Sequence, residues 1–267
     1  MNWSKTKSIF ILCFLLLDIF LVFELYIRQQ DEDMQNVEDS SSTHGNFRID
    51  TQIPATPGTV TFLRGTRVNF EHEKDSIALL TSPPRQLGQS IHLENDGLQL
   101  SSTLRESLKG KLSDSELQKN ILGLVYQGQG YTYWKMDRGR GTVDFVQSYN
   151  GHPVFISGRS KIHMLQFSVK GNNVTGYRQS YFQFKQMNSV DIISAARAIS
   201  NLQENTNLFA YSRPTIKTIE LGYINLVSDT SSNSLIFIPA WHVVVKSDGS
   251  QHEFFVNGMS GNVQQLN

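Results

Sequence analysis

The sequence predicts an α+β protein: an N-terminal transmembrane helix, then an ectodomain of two units, each a helical segment followed by an antiparallel sheet. Three observations predict it. A mostly apolar run covers Ile9–Ile27. Short stretches of alternating apolar and polar residues, separated by Gly/Asn/Asp turns, fill most of the chain after Phe47. A helical pattern precedes such a strand series twice, once before Tyr131 and once before Ile216.

The run IFILCFLLLDIFLVFELYI is long enough to cross a ~30 Å hydrocarbon core, which needs about 20 apolar residues. Lys5 and Lys7 precede it, and Asp31, Glu32 and Asp33 follow Arg28. The positive-inside bias therefore predicts a cytoplasmic stub at 1–8, a membrane span at 9–27 and an extracellular remainder. A cleaved signal peptide would have a shorter apolar core and a small-x-small site, which Phe23-Glu24-Leu25-Tyr26 does not offer. A lipoprotein signal fails too, because Ile11-Leu12 precedes Cys13. The segment reads as an uncleaved signal anchor in the cell membrane.

Asp18 lies near the middle of this span. A carboxyl there opposes insertion by about 2.5–3.5 kcal/mol, so such residues usually serve a function. With a single candidate span in the chain, a hydrogen-bonding partner must come from another molecule. Asp18 is thus the candidate partner-binding residue within the membrane. The competing reading is a tolerated passenger among strongly apolar neighbours. Glu24 lies near enough to the outer face to snorkel.

Residues 28–46 include the acidic, Ser-rich DEDMQNVEDSSSTHGN and lack periodicity, which predicts a flexible stalk. The first unit is expected over 47–187. It opens with strands at Thr59–Leu63 and Arg67–Phe70, then breaks at Ser82-Pro83-Pro84. Ser102–Leu108 reads as helical, with Leu104 and Leu108 on one face. Ser113-Asp114-Ser115-Glu116 resembles a capping box that opens a second helix bearing Leu117, Ile121 and Leu124. Strands follow at Tyr131–Trp134, Val143–Val146, Val154–Ile156, His163–Val169 and Tyr177–Phe184, with turns at Asn150-Gly151 and 171–173.

The second unit is expected over 188–267, with the boundary near Lys185–Asn188. Ser189 reads as the cap of a helix carrying Ile192, Ile193, Ala196 and Ile199. Strands are expected at Ile216–Gly222, Ile224–Val227, Leu235–Ile238, Trp241–Val245 and Glu253–Val256. Ser247-Asp248-Gly249 and Asn257-Gly258 read as hairpin turns. A helix must cover one face of each sheet, since alternating strands leave an apolar face to bury.

Composition narrows the function classes. Among 267 residues Lys+Arg and Asp+Glu each number 24, so no dominant nucleic-acid role is indicated. The one cysteine, Cys13, falls in the span, leaving the ectodomain without a disulfide, as suits a bacterial envelope protein with a packed core. His152, His163, His242 and His252 lack metal-ligand spacing, so neither metal nor cofactor is expected. In the alternating strand, Trp241, Val243 and Val245 share one face and His242 reads as a surface or partly covered histidine. Gly258-Met259-Ser260-Gly261 is a turn rather than a nucleophile elbow, and no enzyme chemistry is expected.

Two surface features remain. Arg138 and Arg140, set between glycines, read as an exposed hairpin tip able to meet an anionic partner. Tyr131, Tyr133 and Trp134 fall on alternating faces of one strand, so one side is a candidate ectodomain interface. Core packing is the competing explanation for these aromatics.

The opening MNWSKTKSIFI…FLLLDIFLVFELY resembles that of the YycI (WalI) family of Gram-positive membrane-anchored regulators. The C-terminal stretches Glu220–Tyr223, Ile238–Trp241, Phe254–Asn257 and Ser260–Val263 agree with it. The last also resembles the broader PepSY-like module, a helix packed on a small antiparallel sheet. The YycI resemblance implies an accessory regulator of the WalK (YycG) sensor histidine kinase in an essential cell-wall two-component system. It would act with a YycH-type partner through transmembrane contacts. The alternative implied by the C-terminal pattern is an anchored PepSY-like binding or protease-inhibitory module with no link to a kinase.

Overall fold

Period-two burial and tight turns shape most of this chain. The computed structural model describes residues 7, 14–22, 47–81, 88–109, 115–157, 160–205, 214–226 and 232–265. Residues 1–45 and 46–267 form two separate contact units. In the first, residues 14–22 are helical (α1) with every side chain exposed. The rest of the expected span, the stalk, the Pro83-Pro84 break and the first half of the capping box lie outside the described residues. Among the described residues no helix is long and apolar enough to cross a membrane.

The second unit opens with β1 (Arg48–Ile49) and β2 (Val60–Arg67), then α2 (Lys74–Thr81), β3 (Gln89–Glu94), β4 (Gln99–Lys109) and α3 (Ser115–Leu122). It continues with β5 (Tyr131–Asp137), β6 (Thr142–Tyr149), β7 (His152–Ile156), β8 (Leu165–Lys170), β9 (Asn173–Gln179) and β10 (Phe182–Val190). It closes with α4 (Ala195–Asn205), β11 (Thr215–Asn225), β12 (Ser234–Ser247), β13 (Ser250–Asn257) and β14 (Val263–Gln265). The result is α+β and dominated by sheet. The hydrogen-bonded path runs β10-β2-β12-β11-β7-β6-β8-β9-β4-β3, with β1 on β11, β5 on β6, and β13 and β14 continuing from β12. The two-residue hairpins form as expected: Asn150-Gly151 and Asp248-Gly249 both take positive φ, the geometry such turns require.

Several elements differ from expectation. Ser102–Leu108 lies in β4, not a helix. Leu100, Ser102 and Leu104 are buried in alternation, and a four-residue apolar spacing is also a multiple of two. Tyr177–Phe184 is not one strand. Ser180 leaves the ladder by donating its N–H to the carbonyls of His163 and Met164, and the chain crosses from the β8–β9 pair to β2. The last helix starts not at Ser189, which extends β10, but after Ser194, whose Oγ accepts the Arg197 N–H at 3.1 Å.

Leu235–Ile238 and Trp241–Val245 join into one strand through Pro239. On one edge β12 leaves β2 after Phe237 and meets β13 from Ala240, and the Pro239 carbonyl faces that edge, accepting the Gly258 N–H. The missing proline N–H therefore falls where the partner strand changes. The boundary expected at 187/188 falls inside β10, and strands from its two sides pair: β2 with β12, and β7 with β11 in parallel.

α4 buries Ala195, Ala198, Ile199 and Leu202, a stripe at helical spacing. Trp241, fully buried, donates its Nε1–H to the Ile193 carbonyl at 2.9 Å just before α4. Asn201 Nδ2 donates to the Gly261 carbonyl at 3.1 Å. The opposite face of β12 carries His242 and looks toward β5 and β7.

Candidate functional site

The residues singled out in the sequence cluster on β5 and its hairpin to β6. Their ladder shifts between Tyr133 and Lys135, which leaves Trp134 as an extra, bulged residue. A bulge bends the strand and re-aims a side chain. Trp134 packs edge-on against Phe155 at 5.3 Å and donates its Nε1–H to Glu253 Oε2 at 2.8 Å. Lys135 Nζ sits 4.2 Å from the centroid of the same ring. Tyr133 is 42% exposed and edge-on to Phe145.

Tyr131 does not join that surface. It is 5% exposed and its hydroxyl donates to the Met164 carbonyl at 3.3 Å. Burial pushes its phenol well above the ordinary range, so it stays protonated. Tyr131 and Tyr133 lie two apart in regular register, ahead of the bulge, and differ in burial along the same strand face. At the hairpin tip Arg138 and Arg140 are exposed. Asp137 Oδ1 accepts the Arg140 N–H at 2.9 Å, and Arg140 Nε lies 3.5 Å from Asp137 Oδ2. Gly141 closes the turn at φ +64°, where a Cβ would sit 2.6 Å from the Val169 carbonyl oxygen.

Beneath Trp134 lies a cluster that the sequence reading missed. Register places Glu220, His242 and Phe255 in one row across β11, β12 and β13, with Glu253 diagonal to His242 on the same face. His242 Nδ1 is 3.0 Å from Glu220 Oε1, and Nε2 is 3.5 Å from Glu253 Oε2. Phe255 stacks on the imidazole at 4.8 Å and Phe155 tilts against it at 4.6 Å. His242 is thus 5% exposed, buried more fully than the surface or partly covered histidine that strand alternation suggested.

Burial lowers the His242 pKa, but the hydrogen bonds and charges of Glu220 and Glu253 outweigh it and leave a net rise. For Glu253, burial is the largest influence and acts upward, yet His242, Trp134 and Lys135 together outweigh it and hold its carboxyl below the ordinary range. The carboxylates sit on opposite ring nitrogens, so they cannot share one metal with the imidazole. Among the described residues no group of three or more His, Cys, Asp or Glu could hold a metal ion.

Beside Trp134 a cleft of about 130 Å³ opens between β5, β6, β8 and the loop after β7. Its polar floor is Asp144, Gln166 and His163. Gln166 Nε2 lies 2.8 Å from Asp144 Oδ1 and 3.4 Å from His163 Nδ1. Burial, the largest influence, lowers the His163 pKa. The amide fills the space between carboxylate and imidazole, so neither is directed at a nucleophile as a catalytic dyad requires. Asp18 lies on α1, in the other unit, and is exposed.

The solved structures similar to this chain are distant. An uncharacterized protein from Eubacterium rectale ATCC 33656 aligns at 8% identity and TM-score 0.49, covering 85% of this chain and 92% of that one. The C-terminal domain of YpeB from Bacillus megaterium aligns at 12% identity and TM-score 0.42, covering 76% and 100%. YycH from Bacillus subtilis aligns at 12% identity and TM-score 0.41, covering 73% and 52%. No curated protein matches the chain significantly. The YycI protein family matches residues 30–259, from before β1 to the turn that follows β13. That match takes in well over half of the sequence, and the chain belongs to the YycI family.

Proposed function

We propose that this chain is a non-enzymatic accessory regulator of an essential two-component system that governs cell-wall metabolism. It is anchored by one membrane span with its N-terminus in the cytoplasm, and it modulates a WalK-type sensor histidine kinase together with a YycH-type partner. The observation that carries this reading is the family match over residues 30–259. The exposed Tyr133, Arg138 and Arg140, beside the half-buried Trp134, form the ectodomain surface offered to partners, and Asp18 forms the contact within the membrane.

Crosslinking in native membranes tests the reading. Capture of a sensor kinase and a YycH-type protein is the expected result, and capture of neither overturns it. Topology has its own check. A reporter that is active only after export, fused at Asn46, should be active, and activity confined to the cytoplasm would reverse the orientation.

Asp18→Leu is expected to insert at least as well as the wild type and yet bind its partner more weakly. One interhelical hydrogen bond is worth about 0.6–1.7 kcal/mol, or roughly 3- to 18-fold in association. Partner co-purification at equal membrane abundance, with expression of kinase-controlled wall-hydrolase genes, measures the effect. If both readouts are unchanged, Asp18 is a passenger and recognition belongs to the ectodomain.

A further inference from the structure

We propose that Glu220, His242 and Glu253 form a proton-operated latch, which holds Trp134 and the outer part of β5 against the sheet while His242 is charged and frees them when it is neutral. The inference concerns the chain alone and does not rest on the identity of any partner. The charged groups facing the imidazole are Glu220 from β11 and Glu253 from β13, with Lys135 of β5 beside Glu253. β7 contributes only the Phe155 ring and β13 also the Phe255 ring.

An imidazolium donates from both ring nitrogens, whereas a neutral imidazole has one N–H. The shorter contact, Nδ1 to Glu220 at 3.0 Å, keeps that proton. The Nε2 side, 3.5 Å from Glu253, then presents a lone pair to a carboxylate that is only 13% exposed. Nε2 has no hydrogen-bond partner within normal distance to absorb the change. Charge counts the same way: two carboxylates against an imidazolium and Lys135 balance, and loss of the proton leaves one negative charge in excess.

Glu253 can then recover solvation only by hydration, and the Trp134 indole covers it at 2.8 Å. β5 yields most easily at this point. It pairs only with β6 among the described residues, and its ladder is already interrupted at Trp134. Tyr131 stays fixed by its buried hydroxyl, so the opening runs from Tyr133 to Asp137 and carries the Arg138–Arg140 tip with it. The sign follows from the folded-state titration. His242 is raised, so its contribution is complete below its unfolded pKa and is lost as pH rises through the folded value. Glu253 is lowered, so its own contribution fails only as pH falls below the usual carboxylate range.

Hydrogen exchange read by mass spectrometry on the full chain in nanodiscs tests the latch, with intrinsic exchange rates corrected for pH. Between about pH 5.5 and about pH 8.5 the opening of Tyr133–Asp137 is expected to rise. The rise should be about tenfold for each pKa unit by which the site elevates His242. β8 should not respond. H242Q, neutral throughout, should abolish the pH step. E253Q keeps an acceptor for the indole but removes the charge, and should shrink the step severalfold. Equal protection of Tyr133–Asp137 at both pH values in the wild type overturns the proposal. So does an undiminished step in either variant. If H242Q loses protection in β8 and is therefore unfolded, E253Q alone decides.

Discussion

Trp241→Ala lowers the unfolding free energy of the 46–267 unit by roughly 3–5 kcal/mol, the range for deleting a buried aromatic side chain. Trp241 is fully buried on β12 and is the largest of the fully buried side chains. Two losses add. The cavity opens beside the Ile193 carbonyl, just ahead of α4. The Ile193 carbonyl, which accepts the indole N–H at 2.9 Å, also loses its donor. Urea unfolding of that unit reads the effect. Trp241→Phe separates the two terms, since it keeps most of the ring and should give up about 1–2 kcal/mol for the hydrogen bond. A Trp241→Ala effect below about 1 kcal/mol would contradict the burial.

The second large effect is expected from Gln179→Leu. Gln179 is fully buried at the end of β9. Its Oε1 accepts the Tyr126 N–H at 3.1 Å, and its Nε2 donates to the Tyr126 carbonyl at 2.6 Å and to the Tyr131 hydroxyl at 3.0 Å. The side-chain amide thus pairs with one residue of the α3–β5 connection as a neighbouring strand would. Leucine keeps the bulk and orphans a backbone donor and acceptor together. Each buried unsatisfied group is worth about 1–3 kcal/mol, so the loss should reach roughly 3–5 kcal/mol, less than additive because the groups adjoin. Urea unfolding checks the magnitude. Hydrogen exchange checks the place, with residues 124–131 losing protection first. Gln147 makes the same kind of clasp on Phe182, donating to its carbonyl and accepting its N–H at 2.9 Å each.

Such clasps show what sequence alone leaves hidden. A buried glutamine has no local signature, because the backbone it serves lies tens of residues away. Hairpins are legible because the turn chemistry is local: Asp248-Gly249 fixes Ser247 opposite Ser250. Continuing that register puts His242 opposite Phe255 and Glu253 on the diagonal, so half of the His242 cluster could have been read from the turn. Glu220 could not, because the sequence between β11 and β12 carries no Asn-Gly or Asp-Gly pair from which to count a register. Ser102–Leu108 misled for a different reason, since leucines four apart satisfy both the helical and the strand period. Of the surface residues, Arg138 and Arg140 needed only their flanking glycines to be placed at a tip. Trp134 depended on a bulge that nothing in Tyr-Thr-Tyr-Trp announces.

The pairing order also governs when this fold can first exist. Strands near the start of the unit close against strands near its end: β1 lies on Thr215–Ile216, and β2 lies on Ser234–Phe237. A chain made from its N-terminus exposes Leu63 long before its β12 neighbour Phe237 is available. β10 can meet β2 earlier, but a pair of strands without further cover is marginal in water. Closure of the sheet through β1 and β2 therefore waits for nearly the whole polypeptide, and long-range pairing of this kind is slow. A nascent chain of this topology needs protection from aggregation until its last strands emerge. A stop before Ser234 removes β12, the strand through which β2 and β10 join β11 and the rest of the sheet.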